Sequence, residues 1–241
     1  YTLNEDTPTQ TVNLSGISIG PSNEAPQTLV VTATSSNTTL IPTPVVTYTS
    51  PNATGTLAFT PAPNQSGSAT ITVTVSDGAA VNSTVTQTFN VTVVAVNDPP
   101  TISAISNVSV NEDAAAFTVN LTGITAGPNE SQTLTVTASS SNTTLIPAPV
   151  VSYTSPATTG TLTLTPAANQ YGTSVITVTV NDGQATNNIT TATFTVTVNS
   201  INDPPTLDAL SNLSISESAT TQTVNLTGIS AGPNESQVLT I

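Results

Sequence analysis

Apolar and polar residues alternate along much of the chain with a period of two. From Ser174 to Val180, Ile176, Val178 and Val180 share one face and threonines take the other. The same alternation places Ala192, Phe194, Val196 and Val198 together between Thr191 and Val198, and Leu134, Val136 and Ala138 together between Gln132 and Ala138. Shorter runs at Phe117-Val119-Leu121, Val151-Tyr153 and Leu162-Leu164 repeat it. Period two is the signature of strands with one buried face, and clusters of Gly, Pro, Asn and Ser between the runs read as turns. Threonine on the outer face supplies β-branched propensity without charge, so the surface favours strands although it carries few ions.

The pattern also repeats on a longer scale. Asn97-Asp98-Pro99-Pro100 returns as Asn202-Asp203-Pro204-Pro205, 105 residues on, and Asp77-Gly78 and Asp182-Gly183 keep the same interval. Gly127-Pro128-Asn129-Glu130-Ser131 recurs at the same spacing from Gly232 to Ser236. Asn4-Glu5-Asp6 precedes Asn111-Glu112-Asp113 by 107, and the loop Gly20-Pro21-Ser22-Asn23-Glu24-Ala25-Pro26 absorbs the two extra residues. Tandem domains are expected, each with about seven strands in roughly 105 residues, the size of an immunoglobulin-like sandwich. The expected fold class is all-β, with seven-stranded Ig-like repeats arranged end to end: repeat 1 over 1–98, repeat 2 over 99–203, and the opening part of repeat 3 over 204–241. The last residue, Ile241, falls inside the third strand of its repeat, and the first is Tyr1 rather than Met. The expectation is a processed protein, or a window onto a longer array whose final stretch has no closed core by itself; completion of that stretch by a neighbouring subunit is the alternative.

Composition narrows function. The chain of 241 residues has no Lys, Arg, His or Cys, and its 13 acids give a net charge of −13. Imidazole bases, thiolates, amine nucleophiles, and the nitrogen and sulfur ligands of zinc are all missing, so catalysis is not expected. Two carboxylates could serve a glycosidase, but such clefts need aromatic walls and the chain has no Trp. Nucleic acid is a poor partner, because phosphate contacts require Lys or Arg. Stability must come without disulfides or lysine cross-links, and no apolar run approaches the roughly 20 residues of a membrane helix.

The acids are the candidate chemistry. Successive connections of an antiparallel sandwich lie at alternate ends, so Glu112, Asp113, Asn202 and Asp203 belong to one end of repeat 2 and Glu130 and Asp182 to the other. Stacking repeats end to end would gather Glu5, Asp6, Asn97 and Asp98 with Glu130 and Asp182 at the first junction. The second would gather Glu112, Asp113, Asn202 and Asp203 with Glu235. Two carboxylates about 6 Å apart at an effective dielectric near 20 repel by roughly 3 kcal/mol, so such clusters need a counter-charge. With no basic side chain available, a hard divalent cation is the expected partner, and this oxygen-only inventory suits Ca2+ better than Mg2+. Asp182-Gly183 and Asn202-Asp203-Pro204 are also ordinary turn formers.

Val96-Asn97-Asp98-Pro99-Pro100, Asn111-Glu112-Asp113 and Val180-Asn181-Asp182-Gly183 resemble the linker, the acidic motif near the first strand, and the Asp-containing motif after the sixth strand of the cadherin superfamily. The likeness is closer to the cadherin-like and Ig-like tandem repeats of large bacterial surface adhesins, and it covers essentially the whole chain. It implies calcium held between neighbouring domains. Two departures imply fewer and weaker ions: Asn64-Gln65-Ser66-Gly67 and Asn169-Gln170-Tyr171-Gly172 replace an Asp-Arg-Glu motif, and an Asp-x-Asp pair is reduced to Glu130.

The resulting expectation is an extracellular, calcium-stiffened rod or filament of the cell surface, with neighbouring repeats and other copies of the chain as partners. A carbohydrate- or protein-binding module is the alternative, disfavoured by the scarcity of aromatic residues. Among many Asn-x-Ser/Thr sites, Asn120 and Asn225 occupy equivalent positions and are the candidate N-glycan acceptors.

Overall fold

The structure is a computed structural model that describes residues 1–21 and 27–241; residues 22–26 of the loop beginning at Gly20 lie outside the described part. Chain contacts divide it into two units, Tyr1–Asp98 and Pro99–Ile241. Each is described by itself.

In the first unit, repeat 1 contains β1 (Thr2–Asn4), β2 (Gln10–Ser15), β3 (Val30–Ser35), β4 (Val45–Thr47), β5 (Thr54–Phe59), β6 (Gly67–Ser76) and β7 (Thr84–Val94). One sheet has the order β1-β7-β6-β3 and the other β2-β5-β4. In the second unit, repeat 2 contains β8 (Val108–Asn111), β9 (Phe117–Thr122), β10 (Thr135–Ser140), β11 (Val150–Ser152), β12 (Thr159–Leu164), β13 (Gly172–Asn181) and β14 (Ile189–Asn199). Its sheets, β10-β13-β14-β8 and β11-β12-β9, reproduce the first pattern strand for strand. The molecule is therefore an all-β tandem of Ig-like sandwiches.

Alternation decides which residues enter the core. Leu162, Leu164, Ile176, Val178, Val180 and Val196 are fully buried between the two sheets of repeat 2, while the threonines between them face outward or lie at the sheet margins. A turn fills the rest of the space. The Asn142 side-chain oxygen accepts from the Leu145 amide at 3.2 Å and from the Thr144 hydroxyl at 2.7 Å, and this local closure drives Leu145 and Ile146 into the core. Asn37 does the same for Leu40 and Ile41 in repeat 1.

The third strand of repeat 2 starts later than the alternation predicts, at Thr135 rather than Gln132. The Leu134 amide donates to Ser155 Oγ at 3.0 Å instead of joining the ladder, so pairing with β13 begins at Thr135 opposite Asn181. The central pair β13 and β14 runs longer than the alternation alone suggests, because their register continues from Gly172 opposite Val198 to Asn181 opposite Ile189.

The first strand of each repeat fixes the acidic end. β8 pairs in parallel with the last residues of β14, Val196 to Asn199, rather than with the neighbouring sheet. A parallel partner exits at the same end as the strand it joins. Glu112 and Asp113 thus emerge beside the segment that follows Asn199. Residues 204–241 form no ladder beyond a bridge between Thr206 and Ser230.

Candidate functional site

At the exit of repeat 2, backbone and carboxylates interlock. The Glu112 amide donates to the Asn199 carbonyl at 2.8 Å, and Glu112 Oε1 accepts from the Ile201 amide at 2.6 Å. Glu112 is 5 % exposed, which is unusual for a carboxylate with no cation to pair it. Asp113, in the left-handed region at φ 59°, accepts from the Asn169 amide through Oδ1 at 2.8 Å. Asp203 donates its amide to Glu235 Oε1 at 2.9 Å, so the linker after repeat 2 is tied to the loop of repeat 3. Gln237 Nε2 reaches both Glu235 Oε2 and Asn202 Oδ1, the latter at 2.8 Å. Asn234 Nδ2 donates to the Asn169 carbonyl.

Glu112, Asp113, Asn202, Asp203 and Glu235 are therefore neighbours within one unit. The Asp203 carboxyl is pushed above the ordinary aspartate range, first by desolvation and then by the charges of Asp113, Glu112 and Glu235. Its Oδ2 is buried without a hydrogen-bond partner. Among the described residues no three acidic side chains converge into a ready metal-binding group. The carboxylates lie within electrostatic reach of one another, while three of their oxygens are engaged by backbone amides.

Repeat 1 builds the same exit. Glu5 Oε1 accepts from the Val96 amide at 2.6 Å and Asp6 Oδ1 from the Asn64 amide at 2.9 Å, with Asp6 again left-handed at φ 58°. Asn97 donates to the Asp98 carbonyl at 3.2 Å. Asp98 belongs to the first unit, and Glu130 and Asp182 to the second.

Asp182 and Glu130 occupy the opposite end of repeat 2 from Glu112. The Asp182 amide donates to the Asn188 carbonyl and its Oδ1 closes a turn on the Gln184 amide at 2.9 Å. Asn188 lies just before β14 and Asn199 ends it, so the two ends are separated by a strand of about 33 Å. Glu130 precedes β10, whose first residue pairs with Asn181, and its Oε2 accepts from Gln132.

Asn64 and Asn169 were treated on sequence as substitutes for lost acids, yet each is a structural bridge. Each holds the acid of its own repeat through a backbone amide, and Asn169 also accepts from the next repeat. Their left-handed conformation, φ 53° in both, was the usable signal, because Asn tolerates it and precedes no helix here. Gln237, which links Glu235 to Asn202, carried no such mark.

One prediction arises directly. A carboxyl whose folded pKa is raised binds its proton more tightly in the folded state, so its stabilising contribution is complete below the unfolded pKa and is lost as pH rises through the folded one. In metal-free buffer, Asp203→Asn should flatten this part of the pH dependence and raise the midpoint of thermal unfolding near pH 7. Circular dichroism melts across the acid limb test it, and identical pH profiles for the two proteins would contradict the clustered charge.

Asn120 is exposed on β9, an edge strand, and Asn225 is exposed in repeat 3. No helix among the described residues is long and apolar enough to cross a membrane.

Residues 97–199 match the family model described as the bacterial Ig domain. Among curated proteins nothing matches. Solved structures with a similar course include human mucin-like protocadherin EC1-2, at 15 % identity and a TM-score of 0.44, covering 83 % of this chain and 95 % of that one. Protocadherin gamma B2 extracellular cadherin domains 1–5 share 17 % identity at a TM-score of 0.42, over 94 % of this chain and 44 % of that one. Domains 4 and 5 of the S-layer protein SbsC share 22 % identity at a TM-score of 0.33, over 70 % of each chain. The chain is thus a tandem of Ig-like sandwiches, and its second repeat is similar to the bacterial Ig domain.

Proposed function

We propose that this chain is a non-enzymatic structural segment of an extracellular surface protein, in which Ca2+ bound at the repeat boundaries stiffens a rod or filament. The observation that carries the reading is that Glu112, Asp113 and Glu235 lie within electrostatic reach of Asp203, whose Oδ2 is buried and unpartnered, in a chain with no cationic side chain. Four carboxylates brought together by folding repel one another, and only a dissolved cation can offset them. Their chemistry fits the ion: the donors are hard oxygens, with Asn202 Oδ1 and backbone carbonyls beside them. Bound there, Ca2+ would supply positive charge and replace repulsion between the linker and the flanking loops with shared attraction. Asp203, Glu112 and Glu235, which do not converge on one point among the described residues, would have to draw together to hold it, with Asp113 as a nearby charge. Glu5, Asp6, Asn97 and Asp98 are the corresponding acidic set at the exit of repeat 1.

Calorimetric unfolding of the whole chain with Ca2+, with Mg2+ and after chelation tests this. At a tenfold excess over its dissociation constant an ion adds about 1.4 kcal/mol, which is roughly 6–11 °C for a domain of this size. Calcium should raise the midpoint by that amount, magnesium by less, and chelation should reverse it. Superimposable traces in all three buffers would refute the ion and leave the fold untouched.

A further inference from the structure

The larger sheet of each repeat ends on the same strand. β10 is outermost in β10-β13-β14-β8, and β3 is outermost in β1-β7-β6-β3. β10 reads Thr-Val-Thr-Ala-Ser-Ser and β3 reads Val-Val-Thr-Ala-Thr-Ser, with no charge, no proline and no break in register along either. Charges, prolines and bulges are the usual means by which an edge strand avoids pairing with another chain, and both edges lack all three.

The phase of the ladder fixes which backbone groups of the edge are free. The Ser141 amide donates to the Val175 carbonyl at 2.9 Å, in line with a register that pairs Thr135 with Asn181 and Thr137 with Thr179. Opposed residues of an antiparallel pair alternate between bonded and unbonded, so Thr135, Thr137 and Ser139 bond inward, and the amides and carbonyls of Val136 and Ala138 point away from β13. The Leu134 amide is taken by Ser155 Oγ, and Ser140 closes a turn on Asn142, which confines the free stretch to 136–138. In repeat 1 the Ser36 amide donates to the Thr70 carbonyl at 3.0 Å, which sets the same phase and turns Val31 and Ala33 outward. Side chains follow the other alternation. Val136 and Ala138 pack on the core, whereas Thr137 is exposed in a rank with Thr179 and Thr191.

This stretch is complementary to itself: reversed and laid alongside, its two free residues meet each other. We propose that β10 pairs antiparallel with the β10 of a second copy, joining two sheets into one about a two-fold axis. Val136 would exchange both backbone bonds with Ala138 of the other copy, and Thr137 would lie directly opposite its own counterpart, carrying the rank of threonines across the join. Main-chain bonds give such an edge contact its hold, and threonine pairs add to it. Charge selects the direction. Glu130 precedes β10 and Asp182 follows Asn181, the residue opposite Thr135, so both acids sit at one end of the strand. A parallel pairing would set these acids of two copies side by side. The antiparallel pairing separates them by roughly 20 Å, the length of a strand of about six residues, which exceeds the screening length of about 8 Å at physiological salt. The contact is isologous and closes on itself, and β3, with the same groups free around Thr32, gives each chain a second such edge. One edge buries little surface, so its Kd should be on the order of 0.1–1 mM. This assembly goes beyond the calcium reading and does not depend on it.

Sedimentation velocity and amide hydrogen exchange of the full chain, from micromolar to millimolar concentration, test it with calcium and after chelation. Association should grow with concentration in both buffers. Exchange of the Val136 and Ala138 amides should slow as it does, while that of Thr137, already bonded within the sheet, should not change. Ala33→Pro with Ala138→Pro removes an outward donor from each edge without costing a ladder bond, and should leave the chain monomeric. Thr32→Lys with Thr137→Lys, and Thr32→Glu with Thr137→Glu, change exposed positions only. Each of these two proteins should self-associate about tenfold more weakly, because like charges then face each other across the axis, and a mixture of the two should recover the loss. A monomer at every concentration would overturn the proposal and leave the edge to an extended segment of a different protein. Association without slowed exchange at Val136 and Ala138, or charge variants that fail to recover on mixing, would overturn it too. So would association lost on chelation, since the ion alone would then account for assembly.

Discussion

Phe194→Ala is expected to destabilise repeat 2 by about 3–5 kcal/mol, the usual cost of removing an aromatic ring from a closed core. Phe89→Ala, the same change at the equivalent position, should cost repeat 1 only about 1–3 kcal/mol. Phe194 lies opposite Ile176 in the ladder and is 3 % exposed, so truncation leaves a cavity that a rigid sandwich cannot collapse. Phe89 is half-buried and lines an apolar cavity with Val12 and Leu14 of β2. It keeps an edge contact to Tyr1, with centroids 5.3 Å apart, and a tilted one to Phe59, at 6.2 Å, so its loss is not free. Urea unfolding of each variant, resolved into the transitions of the two repeats, measures both costs. Equal losses would mean that Phe89 is as well covered in solution as Phe194.

That contrast also marks the limits of reading the chain directly. The strands were legible because threonine and aliphatic residues alternate so regularly that Ile176, Val178 and Val180 could belong to nothing but one buried face. The repeat interval was legible because Asn-Asp-Pro-Pro and Asp-Gly are turn chemistry, and turns recur where strands do. The edge of β10 was less so, since whether Leu134 pairs with a strand or with Ser155 Oγ depends on a residue 21 positions away. The opening strand was less legible still. Its apolar residues at 102, 105, 108 and 110 change spacing midway, because the chain pairs first with β9 and then crosses to β14. No single period describes a segment that serves two sheets.

The acidic end was legible in the same partial way. Parity of antiparallel strands groups Glu112 with Asp203 whatever the detailed packing, and in the structure Glu112 holds the Ile201 amide two residues before Asp203. Distance alone does not reveal that Glu112 Oε1, Asp113 Oδ1 and Glu235 Oε1 each hold a backbone amide. Those bonds position the carboxylates and bring their charges together, so the backbone geometry that orders the linker also creates the electrostatic cost. The proposed cation and the linker would be coupled through the same side chains, and the structural and ionic roles of any one acid can be separated by substitution.

Glu112 separates them best. Glu112→Ala removes both the charge and the acceptor for the Ile201 amide, and should destabilise the exit of repeat 2 by about 1.5–3 kcal/mol in metal-free buffer, the range for a hydrogen bond to a charged group. Glu112→Gln keeps a carbonyl oxygen of the same reach. It loses the charge assistance of a 2.6 Å contact but relieves repulsion at Asp203, and the two changes oppose each other, so its metal-free stability should stay within about 1 kcal/mol of the parent. Calcium should then distinguish the pair differently. Both variants should lose most of the calcium-induced rise in melting temperature, because the ion needs the negative charge that both lack. If Glu112→Gln proved as unstable as Glu112→Ala after chelation, the amide acceptor would not be the structural element. If Glu112→Gln retained the full calcium response, Glu112 would be a linker clasp and nothing more, and the ion would have to be sought around Asp203 and Glu235 alone.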